Sequence, residues 1–140
     1  MKLLVTILKP ENKANACRPL TREAAVKANY ARIAAKKRER NAGWMATRRA
    51  LCTLPCDAEG RVAFAPLAYR IIWPYKGTRP DADNIVARMK AILDGCAMAF
   101  NVNDRDLDLH GVERLHYKEA RAHRMDEQHA YIEFTDMIND

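Results

Sequence analysis

The chain has 140 residues, a net charge of +6 and a sequence pI near 9.3. That length fits one domain with a real core, and 49% hydrophobic with 30% charged residues excludes a disordered or fibrous chain. No apolar run could span a bilayer and no secretory leader is readable over residues 1–9, so a soluble, cytoplasmic protein with a polyanionic partner is expected, nucleic acid before an anionic membrane.

In chain order, residues 3–8 form a short apolar run with β-branched content and predict a buried strand. A proline-containing loop follows over residues 9–19. Thr21 is a plausible N-cap for a long helix to about Ala42, in which Ala24, Ala28, Ala31 and Ala35 repeat at three and four. Gly43 is expected to end or bend it, with a second helical piece over residues 44–51. This region carries the charge. Residues 22–49 hold nine basic side chains and two acidic ones, a net +7 against −1 for the rest. Residues 55–60 read as loop, 67–73 as a strand starting just after Pro66, and 74–80 as a turn-rich connection. The next helix spans about 84–100, with Ile85, Met89, Ile92, Cys96 and Phe100 on one stripe. Another strand is expected within 107–117, a charged loop or hairpin tip over 118–126, and a last half-buried strand over 130–134. Strands interleaved with helices in this order predict an α+β fold: a single domain with a mixed β-sheet packed against helices.

Asp81 and Asp83 stand two apart just before the second helix, and Asp104 and Asp106 follow it. In extended backbone, side chains two apart point the same way, and oxygen ligands so arranged suit Mg²⁺ or Mn²⁺. One aspartate at a helix start is ordinarily a cap. Two of them with Asn84, and a second acidic cluster ahead, favour a metal site. An EF-hand is excluded, because the loop positions that need Gly and Glu fall on Val86 and Ile92, or on Leu109 and Leu115. Cys17, Cys52, Cys56 and Cys96 lack zinc-ligand spacing and read as free thiols, Cys96 in the core. His110, His116, His123 and His129 read as structural or solvated.

The run from Pro66 to Trp73, the Asp81-Ala82-Asp83-Asn84 element, the helix with Lys90 and Asp94, and the return through residues 100–104 together resemble the RusA family of Holliday junction resolvases, closest to phage and prophage forms. The resemblance covers residues 66–136, with a weaker match at the first strand and over residues 10–19; the basic helical segment spans about 21–51. It implies a RusA-like fold and a homodimeric, Mg²⁺-dependent endonuclease cutting four-way DNA junctions by paired symmetric nicks. The family's metal-binding aspartates fall on Asp81, Asp83 and Asp104, and its catalytic lysine most naturally on Lys90. The family's adjacent acid pair is broken here by Asn103, which leaves Asp106 as a substitute ligand. An ungapped alignment places Ala87 at the lysine position, which makes Arg88 a competitor. Lys76 and Arg79 are placed to touch the cut strand's phosphates, Arg88 is a further DNA contact, and Lys36, Lys37 and Arg40 are candidates for holding junction arms. Two-fold pairing of sites would match a nearly two-fold junction, with Trp44, Met45 and Phe100 as interface candidates. The alternatives are a basic DNA-binding or adaptor protein without catalysis, and a nuclease for other branched DNA such as flaps.

Overall fold

The computed structural model describes residues 1–11 and 19–136, so Cys17 and most of the 10–19 loop lie outside the described residues. The elements are β1 (Lys2–Leu8), α1 (Arg22–Leu51), β2 (Pro66–Tyr75), α2 (Ala82–Phe100), a single 3-10 turn (Asp104–Asp106), β3 (Asp108–His116), α3 (Tyr117–Ala122) and β4 (His129–Asp136). The strands form one mixed sheet in the order β1-β4-β2-β3. β4 runs antiparallel to both β1 and β2, while β3 runs parallel to β2. A parallel pair needs a crossover, and α2 supplies it. This is the α+β architecture expected from the sequence.

Alternation places Leu3, Val5 and Ile7 of β1 on the inner face and leaves their neighbours exposed. They join Ile71, Trp73, Ala130, Ile132 and Phe134 beneath Ile85, Met89, Ile92 and Cys96 of α2. The apolar stripe of α2 is therefore its core face. Phe100 packs inside as well, 4.8 Å from the Phe134 ring and 5.8 Å from Phe64, and so is not a free interface residue. Trp44 and Met45 are exposed. α2 ends at Asn101, whose left-handed backbone (φ 56°) lets the next amide, of Val102, bond back to Ala97 O at 3.0 Å.

α1 differs from its expected form. Thr21 caps it, accepting from the Ala24 amide at 3.1 Å, but Gly43 does not end the helix, which runs unbroken through Leu51. The glycine serves a crossing instead. A Cβ at Gly43 would overlap the Ile92 carbonyl oxygen of α2, and one at Gly95 would overlap the Arg40 carbonyl and lie 2.9 Å from the Trp44 nitrogen. Each helix presents its one bare backbone patch to the other. Only the C-terminal part of α1 packs on the body. Residues 21–34 are all exposed, including Val26, Tyr30 and Ile33, so the Ala24-Ala28-Ala31 repeat faces solvent. The 118–126 stretch also departs from a plain loop, since its first part is helical as α3.

The outer face of the sheet carries a ladder of alternating charge. Lys2 lies 3.7 Å from Glu133, which bonds Arg70 at 3.0 Å, which in turn bonds Glu113 at 2.8 Å. One residue comes from each of the four strands. The hydrogen bond to Glu133 is the main reason the Arg70 guanidinium is held above its ordinary value. Among the described residues, no helix is long and apolar enough to cross a membrane.

Candidate nucleic-acid interface and acidic sites

The main groove lies between α1 and α2 and has a volume of about 540 Å³. Lys36 and Arg40 of α1 and Arg88 and Lys90 of α2 line it, with the acids Glu11, Glu39 and Asp94 and with Asn84 also on its walls. Four basic residues singled out in the sequence thus share one concave surface. The crossing at Gly43 and Gly95 fixes their spacing. Lys37 lies on α1 but outside this groove. Lys76 is exposed, with Nζ 5.4 Å from the Tyr117 ring centroid. Arg79 is exposed beside Arg70, His110 and Arg114 in a separate shallow depression next to β3.

The acids do not assemble as expected. The sequence pattern treats Asp81 and Asp83 as an extended pair, but helix α2 begins at Ala82. Asp81 stays extended at the N-cap position, and Asp83 is already in the first helical turn. Both are exposed, and Asp81 makes no capping hydrogen bond. Neither carboxylate has an ion-pair or hydrogen-bond partner among the described residues. Asp81 therefore does not perform the capping duty of an aspartate at a helix start, while Asp83 lies where the helix dipole favours an acid.

Asp104 sits elsewhere. It lies near Asp94, far along α2. Burial first, then the nearby Asp104 carboxylate, hold the Asp94 carboxyl above its usual range, while Lys90 and Arg40 pull less strongly the other way. Tyr69 is raised for related reasons, burial followed by Asp104 and Cys96. The cause is topological. β2 leads into α2 at one end of the strands, and α2 returns the chain to the opposite end before β3 starts alongside Ala68. Asp94 is about 16 Å along the helix axis from Asp83 at 1.5 Å per residue. Asp106 belongs to the same distant turn as Asp104, and Asn103 caps that turn, accepting from the Arg105 amide at 3.2 Å. Asn103 thus holds a structural role where the acid pair is broken.

Three-carboxylate binding of Mg²⁺ or Mn²⁺ by Asp81, Asp83 and Asp104 does not fit one chain. Among the described residues, no three His, Cys, Asp or Glu side chains are grouped to hold a metal ion. Cys52 and Cys56 are exposed and free, and the Cys96 thiol is pushed up to about 11 by burial. The histidines do local work. His129 Nδ1 bonds Asp126 at 2.7 Å, and His116 packs against Tyr75 and Tyr117.

Sequence reasoning passed over Lys9. It lies just past β1, with Nζ 4.5 Å from the centroid of the Trp73 ring, and it donates to the Pro74 carbonyl. Burial, then the Arg88 charge, lowers its pKa to about 8; Glu127 and Asp126 oppose this. A lysine one residue beyond a strand carries no sequence signal, because its neighbours come from β2, α2 and the turn before β4. The unfolded chain, with this lysine near 10.5, binds more protons than the folded one between the two values. Stability should therefore rise with pH from about 8 to 10.5, with the full cost of the charge present below pH 8. Urea unfolding of wild type and Lys9→Met at pH 7 and pH 10 checks this: the wild type should gain on the variant at the higher pH.

No family model matches the chain, and no curated protein matches it.

Proposed function

We propose that the chain is a structure-selective endonuclease that binds branched DNA, four-way junctions first, and resolves them by paired nicks in recombination and repair. It would act in the cytoplasm as a homodimer with Mg²⁺ or Mn²⁺. The observation that carries this reading is a pair of exposed carboxylates, Asp81 and Asp83, without ion-pair or hydrogen-bond partners among the described residues, at the start of the helix that forms one wall of a groove with four basic side chains. Phosphodiester backbones are recognised by such basic surfaces without regard to sequence. Lys36, Arg40, Arg88 and Lys90 are spaced to neutralise phosphates on a strand lying in the groove. Lys90 also flanks the Asp94–Asp104 pair, where its charge opposes the mutual repulsion of the two acids.

A cation shared by Asp81, Asp83 and Asp104 requires Asp104 from a second copy of the chain, since one copy spreads them over about 16 Å. Dimerisation is then a chemical requirement as well as a match to the symmetry of the junction.

A panel of four-way junction, fork, flap and plain duplex, each with and without Mg²⁺, tests the substrate class. Preferential paired nicking of the four-way junction is the expected result; cutting confined to flaps would redirect the reading to branched-DNA trimming. The second reading, a DNA-binding protein without catalysis, is favoured by the separation of Asp104 from Asp81 and Asp83 within one chain. It predicts junction binding indifferent to Mg²⁺ and no nicks on any substrate.

The groove makes its own prediction. Replacing Lys36 and Arg40 together with alanine should weaken binding about equally for all DNA sequences. It should also lower the slope of log affinity against log salt by about 2, roughly one per lost phosphate contact. Fluorescence anisotropy across a salt series measures both.

A further inference from the structure

We propose that Lys9 and Arg88 form a seat for a phosphate group beside Trp73, where β1 and β2 end. The ligand class is phosphate, either free or as a phosphodiester of a nucleic-acid backbone.

Two cations share one aromatic ring. Lys9 Nζ lies 4.5 Å from the Trp73 centroid and Arg88 Cζ 4.9 Å, while Trp73 itself is buried. Each head is fixed by one main-chain carbonyl, Lys9 by Pro74 and Arg88 by Pro10. These bonds set position, but a carbonyl does not neutralise a charge. Among the described residues, neither cation has a carboxylate within ion-pair distance, although Glu11 lines the same groove as Arg88. Arg88 Nε is buried without an acceptor, and burial alone pulls the guanidinium below its ordinary value. The acids that Lys9 senses are Glu127 and Asp126 in the turn before β4, and their pull is outweighed by burial and by Arg88.

Like charges gathered in a partly desolvated place are unfavourable unless something offsets them. The indole face offsets part. An anion would offset more, and an ammonium and a guanidinium held against one ring suit a tetrahedral oxyanion, which the donors left over from the two carbonyl bonds can reach. Arg88 also lines the α1–α2 groove, so a backbone phosphate of DNA in that groove is one source of the ligand. The seat rests on the proposed function only for that source, not for its existence.

The experiment follows the titration of the Lys9 side chain by NMR in wild-type protein, in chloride and in inorganic phosphate at matched ionic strength. The expected result is a saturable upward move of the Lys9 midpoint by about one pH unit, with the solvent lysines Lys2 and Lys118 unmoved. Trp73 fluorescence should follow the same saturation curve in a Trp44→Phe background. A short DNA duplex in place of phosphate separates the sources: the same move at far lower concentration assigns the seat to the DNA backbone, and response to free phosphate alone assigns it to a small phosphate ligand. In Arg88→Met the response should vanish; if that variant does not fold, the contrast between Lys9 and the solvent lysines in wild type still decides. A Lys9 midpoint equal in chloride, phosphate and duplex overturns the seat. Because no cleavage is read, that failure leaves the nuclease reading to its own assay.

Discussion

Two dead variants, mixed, should cut. Asp83→Asn and Asp104→Asn are each expected to lose at least about a hundredfold in junction nicking, in line with removal of a group that stabilises charge at a reaction centre, while still binding the junction. The structure places the two aspartates at opposite ends of α2, with Asp104 against Asp94. If a working site joins Asp81 and Asp83 of one copy to Asp104 of another, the Asp83→Asn chain still offers a sound Asp104. The Asp104→Asn chain still offers sound Asp81 and Asp83. Half of a randomly reassorted mixture is heterodimer, and each heterodimer holds one whole site of two, so about a quarter of wild-type sites return. Single nicks should then outnumber paired ones, because only one strand per heterodimer can be cut. Denaturing gels of end-labelled junction resolve single from paired cuts. A mixture as inactive as its parts, with reassortment verified, would remove the shared site; equal cutting by wild type and Asp83→Asn would remove Asp83 from the chemistry altogether.

The second large effect is on folding. Gly95→Ala should lower stability by about 3 kcal/mol, at the upper end of what overpacking costs. Alanine ordinarily helps a helix relative to glycine by about 1 kcal/mol, so the sign is decided by the crossing. The new Cβ would meet the Arg40 carbonyl and the Trp44 nitrogen, both main-chain atoms. No rotamer change relieves that clash. The helices must move apart, and the contacts of Ile92 and Cys96, both fully buried, loosen with them. Gly43→Ala should behave similarly through the Ile92 carbonyl. The double variant should cost well under the sum, since the first separation already admits the second methyl. Urea unfolding of the three variants measures this; a neutral Gly95→Ala would mean the helices pass farther apart than described.

Much of the fold is legible in residue order. Alternation in β1 and β4, the α2 stripe and the capping Thr21 are local signals, and the structure realises each of them. Gly43 shows where local reading stops. Within its own window a glycine after Ala42 is a breaker. Its use as a contact point depends on Gly95 in another helix, which no window contains. The separation of the acids is different, because it follows from helix length. A helix of 19 residues carries the chain about 28 Å, so an acid just beyond its end cannot return to the acids at its start unless the chain doubles back. Here the chain instead enters the neighbouring parallel strand at the far end of the sheet. Motif spacing conveys which residues occur together, not the direction in which the chain leaves. Lys9 and Trp73 are silent in the sequence for the converse reason: their contact is made wholly by tertiary structure.

The bare forward half of α1 has a thermodynamic consequence. Residues 21–34 are exposed throughout, and a helical stretch of that length is marginal where water is its main neighbour. Its alanines favour the coil-to-helix step, and Arg22, Lys27 and Arg32 give it three cations against the single acid Glu23. The segment is held to the body through the C-terminal part of α1, like a cantilever. Any polyanion that neutralises those cations would wind it further, so that shape and affinity rise together as salt is withdrawn.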